Sequence, residues 1–264
     1  MPPETPTAQA AWHAGDFQRM AAGTLLPAEL LCDAALIRAG ETVLDVATGN
    51  GNTALAAARR RAKVTGVDIV PSLLAAARRR AEAEGLAMTF VESPTESLPV
   101  PDRSFDAVLS TFGVMFSPDH DRAAAELTRV CRPGGRVAVA SWTPESFYGR
   151  LFALTHRSVP ATPGLDRATV WGTEAGARAL LGPSAERVDV TPRRILVRSD
   201  SPAAFVGFLR RFFGPTVTAF GRATPEQARE LEAAMLDLAE RSNTLGGPDL
   251  LMPVEYLEVV ARRA

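Results

Sequence analysis

The sequence predicts an α/β fold with a mostly parallel sheet and helices on both faces of that sheet. The first observation is a regular alternation, between residues 42 and 142, of short apolar segments and longer Ala-rich or amphipathic segments. The second is the length of the connecting segments, because parallel strands need helical crossovers of about a dozen residues. The third is size: 264 residues, 46% of them hydrophobic, can bury a substantial core.

The alternating region divides into successive strands and helices. The predicted strands are 42–47, 63–68, 87–92, 105–110 and 136–141, and the predicted helices are 52–62, 71–84 and 119–131. Pro71 suits the first turn of its helix, and Gly85 suits the position just past its end. The sequence Pro133-Gly134-Gly135 marks the end of the last of these helices.

The flanking segments are less regular. Residues 1–12 are predicted to be loose, and residues 13–39 to be helical up to Gly40. Residues 143–183 are predicted to be irregular and partly helical, 186–198 to form one long strand or a strand pair, and 254–260 a last strand. Thr224 and Gln227 form a capping box before the helix 224–243. We interpret 143–183 and 201–248 as a helical cap over the open end of the sheet.

The expected organisation is therefore a single domain over residues 1–264. It comprises an N-terminal helical segment (1–40), a ligand-binding core (41–142) and a C-terminal part (143–264) that holds the cap insertions and the last two strands. Nothing in the composition divides the chain into two independent units.

Composition argues against several classes of function. The formal net charge is −1, so no global field attracts nucleic acid or an anionic membrane. The two cysteines have neither metal-site nor disulfide-framework spacing, which favours a cytoplasmic protein without bound metal. No segment reads as a signal peptide or a membrane span. We expect a monomer or homodimer whose partner is a small molecule.

A glycine-rich loop follows the first predicted strand. Gly49 and Gly51 let the backbone turn tightly and approach a ligand, and the next helix presents its free N–H groups there. Asp45 lies inside the strand, and Asp68 ends the second strand, from which a carboxylate can hold the hydroxyls of a ribose. This pattern predicts a nucleoside-containing ligand at the carboxyl ends of the strands.

The loop has more than one interpretation. The spacing Gly49-x-Gly51-x-x-Ala54 also satisfies the dinucleotide-binding pattern, so an NAD(P)-dependent oxidoreductase is an alternative. Asp68 has a purely structural alternative, which is to cap the turn before Pro71.

Four sequence blocks, which follow one another along the chain, narrow the choice between these interpretations. They are 43–51 (VLDVATGNG), 66–68 (GVD), 98–108 (LPVPDRSFDAV) and 126–136 (ELTRVCRPGGR). With these blocks the chain resembles the class I S-adenosylmethionine (SAM)-dependent methyltransferases, and most of all the branch of ubiquinone and menaquinone biosynthesis C-methyltransferases. The resemblance implies a Rossmann-like, seven-stranded sheet and methyl transfer from SAM to a small-molecule O, N or C nucleophile. A SAM-binding, cyclase-like protein that does not methylate is a further alternative.

The resemblance also implies which residues bind the cofactor. Asp68 corresponds to the ribose ligand, Ile69 to the residue that packs on adenine, and Ser110 to a position near the transferred methyl group. The full set of implied cofactor-binding residues is Asp45, Ala47, Thr48, Gly49, Gly51, Asp68, Ile69, Pro94, Thr95, Glu96 and Ser110.

Two positions depart from the family pattern. Pro94 stands where the family has the acid that reads the adenine amino group, which leaves the Thr95 N–H and the carboxylates of Glu92 and Glu96 as substitutes. Ala47 replaces the first glycine of the family loop. That change is mild if Ala47 keeps a strand-like φ.

Aromatic and apolar side chains follow the fourth and fifth predicted strands, at the ligand edge of the sheet. The candidate pocket residues are Phe112, Met115, Phe116, Trp142, Phe147 and Tyr148. Each is equally compatible with a core position, and as a group they favour an aromatic or apolar acceptor.

A general base is needed only if the acceptor carries a removable proton. The chain has three histidines. His156 in the predicted cap is the preferred catalytic candidate, and His120 at the start of a helix is the second. His13 lies in the N-terminal segment, which could fold over the cofactor.

Overall fold

The computed structural model describes residues 8–159 and 167–264. Its strands are β1 Thr42–Val46, β2 Lys63–Asp68, β3 Thr89–Glu92, β4 Phe105–Thr111, β5 Cys131–Trp142, β6 Ala185–Ser199 and β7 Leu250–Arg263. Its α-helices are α1 Ala8–His13, α2 Phe17–Met20, α3 Leu25–Ala34, α4 Asn52–Arg59, α5 Pro71–Ala83, α6 His120–Val130, α7 Phe147–Ser158, α8 Glu174–Leu181, α9 Pro202–Phe212, α10 Gly214–Arg222 and α11 Pro225–Ser242.

The strands form one seven-stranded sheet in the order β3-β2-β1-β4-β5-β7-β6. β1 to β5 pair in parallel, and β7 runs antiparallel to both β5 and β6. The predicted fold class is confirmed. The strand order reverses between β1 and β4, so the ligand crevice of such a sheet lies beyond the carboxyl ends of these two strands.

The first crossover helix owes its close packing to small side chains. Every residue from 52 to 58 of α4 is buried, and alanine dominates this stretch, so the helix lies close against the sheet. α4 begins after Gly51, which has φ +90°, and ends at Arg59 rather than at the predicted residue 62. The early end follows from Arg61, whose left-handed φ of +64° cannot continue an α-helix.

The N-terminal segment is not the single helix predicted for residues 13–39. It is divided into α1, α2, a 3₁₀ turn at Ala21–Thr24, and α3. Gly15, between α1 and α2, allows close packing, because a Cβ there would lie 2.5 Å from the Phe212 carbonyl oxygen. Residues 8–12, predicted to be loose, belong to α1, and residues 1–7 lie outside the described part of the chain.

The C-terminal half follows the predictions with longer strands. β6 is one strand rather than a pair, and β7 extends well beyond the predicted 254–260. The capping box of Thr224 and Gln227 is present at the start of α11. α11 packs on α7 and α9. These three helices lie in the segments for which we predicted a helical cap. Residues 160–166 of the predicted irregular stretch are outside the described ranges.

One segment was assigned to the wrong element. The sequence Pro133-Gly134-Gly135, predicted to end the preceding helix, lies within β5, and Gly134 has φ +71°. The β4–β5 register shifts across this stretch, so these residues form an irregular beginning of the strand. Among the described helices, none is both long and apolar enough to cross a bilayer.

Candidate active site

A cavity of about 640 Å³ opens beyond the carboxyl ends of β1 to β4. This is the edge at which the strand order reverses. Its lining residues are Gln9, Trp12, Phe17, Ala47, Gly49, Asp68, Ile69, Val70, Leu73, Glu92, Ser93, Pro94, Thr95, Glu96, Thr111, Phe112, Gly113, Phe116, Ser117 and Pro118. The predicted cofactor residues Ala47, Gly49, Asp68, Ile69, Pro94, Thr95 and Glu96 are brought together here.

Asp68 is the last residue of β2 and lines the cavity. Its Oδ2 accepts a hydrogen bond from the Gly49 N–H at 2.8 Å, and its Oδ1 accepts one from the Val70 N–H at 2.9 Å. Burial raises the pKa of Asp68, and the backbone N–H donors act against that rise. A carboxylate has about four lone-pair sites, so acceptor capacity for ligand hydroxyls remains.

Asp45 is not part of the cavity wall. It is 1% exposed, and its Oδ2 accepts hydrogen bonds from the Thr48 hydroxyl at 2.5 Å and the Ala54 N–H at 2.9 Å. These bonds tie the strand, the glycine loop and the first turn of α4 together. The structure thus places the predicted ligand residues Asp45 and Thr48 behind the loop, where they hold its shape.

Gly51 and Ser110 also lie behind the lining. A Cβ on Gly51 would come within 3.1 Å of the Ala77 Cβ, so the glycine lets α4 and α5 approach each other. The Ser110 hydroxyl donates to the Val46 carbonyl at 2.7 Å and accepts from the Val114 N–H at 3.0 Å. Ser110 therefore joins β1 to the turn after β4.

We expected the replacement of the family glycine by Ala47 to be mild if Ala47 kept a strand-like φ. Ala47 does not keep one. Its φ is +54°, a left-handed conformation that costs an L-residue roughly 1–2 kcal/mol. Gly113 faces it, since a Cβ on Gly113 would lie 2.5 Å from the Ala47 Cβ. The glycine of the family pattern is thus replaced by a strained alanine, and the space for its methyl group is provided by Gly113.

This strain leads to a stability prediction. Ala47→Gly is expected to raise the free energy of unfolding by about 1 kcal/mol, because glycine adopts positive φ without the Cβ clash. Chemical denaturation of both proteins measures the difference. As a control, Ala138→Gly within β5 is expected to lower stability, since that position is an extended strand interior. A lower stability of Ala47→Gly would contradict the strain argument.

The far end of the cavity is formed by the loop after β3. The Ser93 N–H donates to the Asp68 carbonyl at 3.0 Å, which joins this loop to the end of β2. The Ser117 hydroxyl donates to Glu96 Oε1, and the Arg122 Nε donates to the Glu96 carbonyl at 2.8 Å. Glu96 is thus held in place at the rim, whereas the side chain of Pro94 offers no polar group.

Only part of the predicted acceptor pocket reaches the cavity. Phe112 and Phe116 line it. The other four predicted residues are buried outside the lining: Met115, Trp142, Phe147 and Tyr148. The ring of Trp142 stacks on Phe112 with centroids 3.8 Å apart and an interplanar angle of 5°. Phe112 has φ +55°, so its ring is held at the cavity wall by a constrained backbone and a stacked partner.

The predicted catalytic histidines are not among the lining residues. His120 is 4% exposed and its Nδ1 accepts a hydrogen bond from the Trp171 Nε1 at 2.9 Å, which gives it a structural partner. His156 lies in the second half of α7 with its Nδ1 buried. His13 is exposed on α1.

Three lining residues come from a segment whose sequence carries no recognisable site motif. Gln9, Trp12 and Phe17 belong to residues 8–20, which we call the N-terminal flap. The Gln9 Nε2 donates to the Ile69 carbonyl at 2.7 Å, and the Asp16 N–H donates to the Phe212 carbonyl at 2.9 Å. The flap therefore contacts both the cofactor side of the cavity and the cap.

Comparison with known proteins agrees with this geometry. Residues 44–139 match the family described as a methyltransferase domain. An uncharacterised protein of Mycobacterium tuberculosis is 38% identical over 263 residues, covering 97% of this chain and 94% of the relative. The demethylmenaquinone methyltransferase of Thermus thermophilus is 46% identical over 114 residues, covering 42% of this chain and 52% of that enzyme.

Solved structures share the fold at low identity. The YcgJ protein of Bacillus subtilis has a TM-score of 0.62 at 19% identity, covering 90% of this chain and 98% of that one. The [4+2]-cyclase SpnF also has a TM-score of 0.62 at 19% identity, covering 99% and 98%. Because one fold can carry different activities, the fold alone does not assign the chemistry, and the match to a methyltransferase domain indicates methyl transfer. The chain belongs to the class I SAM-dependent methyltransferases.

Proposed function

We propose that SAM binds in this cavity, with its ribose on Asp68 and its adenine between Ile69 and the loop after β3. The observation that carries the proposal is the Asp68 carboxylate, held by the N–H groups of Gly49 and Val70 at the point where the strand order reverses. The methionine part then extends past Gly49 and Ala47 toward β4.

The residues present suit this cofactor. A cavity of about 640 Å³ is large enough for a nucleoside and an amino acid side chain, with space left for an acceptor. Gly49 has no Cβ, and its φ of +56° keeps the backbone N–H directed at Asp68. When bound, SAM supplies a methyl group that is already activated by its sulfonium. The chain then has to orient the reactants and exclude water.

The acceptor is proposed to be a small apolar molecule with a planar ring. Trp12, Phe17, Phe112 and Phe116 are the aromatic side chains that line the cavity. Aromatic walls favour planar apolar ligands, because they combine a large contact area with stacking. The partial relative is named as a demethylmenaquinone methyltransferase, which supports a quinone or its reduced form as the first acceptor to test.

Two measurements test this function. Isothermal titration calorimetry with SAM and S-adenosylhomocysteine (SAH) tests the cofactor, and the absence of binding of both would remove the proposal. Release of SAH is then measured with a panel containing demethylmenaquinol analogues, simple phenols and aliphatic amines. We expect turnover with the ring compounds. Conversion of an acceptor without SAH release would instead favour a cyclase-like role.

The adenine end gives a separate prediction about Glu96. With Pro94 at the usual acidic position, we propose that the Glu96 carboxylate, fixed by the Ser117 hydroxyl, accepts from the adenine amino group. The wild type is expected to bind SAH at least about tenfold more tightly than its inosine counterpart, in which an oxo group replaces that amino group.

Glu96→Gln tests this assignment, because its amide can donate to the oxo group and should remove most of that preference. Glu92→Gln is the matched control: Glu92 also lines the cavity, and it is expected to keep the preference. Calorimetry with both nucleosides measures the ratio. Loss of the preference in Glu92→Gln, with Glu96→Gln unaffected, would move the assignment to Glu92.

A further inference from the structure

The cavity lining combines carboxylates and aromatic rings. Of the lining residues that the structure describes, the carboxylates Asp68, Glu92 and Glu96 all lie at the end formed by β2 and the loop after β3. Four aromatic side chains also line the cavity: Trp12, Phe17, Phe112 and Phe116. The faces of such rings carry negative electrostatic potential.

Phe17 lies directly against the cofactor loop. Its Cε1 would be 3.0 Å from a Cβ on Gly49, so the ring rests on the glycine without a side chain between them. Gly49 in turn donates its N–H to Asp68 at 2.8 Å. Gly49 therefore contacts both the Phe17 ring and Asp68, the proposed acceptor for the ribose hydroxyls.

Trp12 lies beside Phe17 and completes this corner. The two rings meet edge to face, with centroids 5.9 Å apart, and Trp12 also meets Phe116 at 4.8 Å. The bond from Gln9 to the Ile69 carbonyl holds α1 over the cavity. Both rings are thus held over the cavity by the N-terminal flap.

We propose that Trp12 and Phe17 bind the sulfonium cation of SAM through cation–π interactions. The inference rests on the proposed function, in which the ribose lies on Asp68. The sulfur of SAM is attached to the 5′ carbon of that ribose, so this pose puts the cation near Gly49 and the Phe17 ring. Tryptophan is the strongest cation–π partner among the aromatic side chains, and desolvation in a cavity strengthens the interaction.

The consequence is discrimination between the two forms of the cofactor. SAM carries a positive charge on sulfur, whereas SAH is neutral there. Rings that bind the cation stabilise bound SAM but not bound SAH. The weaker binding of SAH helps this product to dissociate. Simple packing would instead favour both forms nearly equally.

The experiment compares the affinities of SAM and SAH in Trp12→Leu and Phe17→Leu. Each substitution is expected to weaken SAM binding by about threefold to thirtyfold and to leave SAH binding nearly unchanged. Trp12→Phe is expected to recover part of the SAM affinity, since a smaller ring remains. Calorimetry measures both dissociation constants, and circular dichroism checks the fold.

The matched control is Phe213→Leu. Phe213 contacts Trp12 at a centroid distance of 5.9 Å but does not line the cavity. Its loss is expected to change SAM and SAH affinity by the same factor. A second probe separates charge from methyl volume: a SAM analogue with a tertiary amine in place of the sulfonium should bind wild type more tightly when protonated, and Trp12→Leu should lose that difference.

Equal weakening of SAM and SAH in Trp12→Leu and Phe17→Leu would overturn the proposal and leave the rings a packing role. Unchanged SAM affinity in both variants would overturn it as well. If wild type binds neither SAM nor SAH, the proposed function itself fails, and that outcome is visible before any variant is made.

Discussion

Asp68→Asn is expected to weaken the binding of both SAM and SAH by about a hundredfold. The carboxylate is the proposed acceptor for two ribose hydroxyls, and hydrogen bonds to a charged group contribute about 1.5–3 kcal/mol each. The amide removes the charge and one acceptor oxygen while keeping the shape of the side chain. It also faces two N–H donors, Gly49 and Val70, with one oxygen.

Calorimetry on the variant measures the loss, and thermal unfolding shows whether the fold survives. Asp106→Asn is the matched control. Asp106 is also a buried acid, and its Oδ2 accepts from the Thr42 N–H at 2.7 Å, at the amino end of β1 and away from the cavity. It is expected to lower stability without changing cofactor affinity. Wild-type affinity in Asp68→Asn would contradict the ribose assignment.

The second large effect concerns stability and pH. Desolvation by burial raises the pKa of Asp45 to about 7 from an ordinary value of 3.8, and the hydrogen bonds from Thr48 and Ala54 offset only part of that rise. Between these two values the folded state holds a proton that the unfolded state has released. The stability contribution of Asp45 therefore falls as the pH rises through this window, and it levels off above about pH 7.

Asp45→Asn does not titrate, so the difference in unfolding free energy between wild type and variant reports this proton. Raising the pH from about 5 to about 8 is expected to lower wild-type stability relative to the variant by roughly 2–3 kcal/mol. Urea unfolding at several pH values measures it.

Asp106→Asn is also the matched control for this pH experiment. Donors from Thr42 and the charge of Arg132 outweigh desolvation and hold the pKa of Asp106 below its ordinary value. Its titration therefore lies below this pH range, and its difference from wild type should stay flat over it. A flat difference for Asp45→Asn would show that Asp45 remains ionised inside the folded protein.

The alternation of strands and helices predicted the fold well because each element carries its own hydrophobic period. The order of elements from β1 to β5 agrees with the sequence prediction, as does the placement of Asp68 at the end of β2. Element ends were less accurate. α4 stops at Arg59 because Arg61 adopts a left-handed φ, and no local pattern announces that.

The site residues were predicted through local motifs, whereas long-range contacts decide which of them line the cavity. Asp45 and Ser110 occur in the right blocks, but the structure uses them to hold backbone behind the lining. His120, a predicted base, accepts a hydrogen bond from Trp171, which lies 51 residues later in the chain. The glycine spacing alone also fitted an oxidoreductase, and the methyltransferase-domain match decides between them.

The sequence by itself determined the sheet, the position of the ligand crevice and the acid at the end of β2, because these follow from short-range hydrophobic periodicity, glycine and chain order. Only the tertiary structure decided which side chains face the crevice. Trp12 and Phe17 reach it because the flap is held between Ile69 and Phe212, contacts that span 60 and 196 residues of sequence and leave no local pattern.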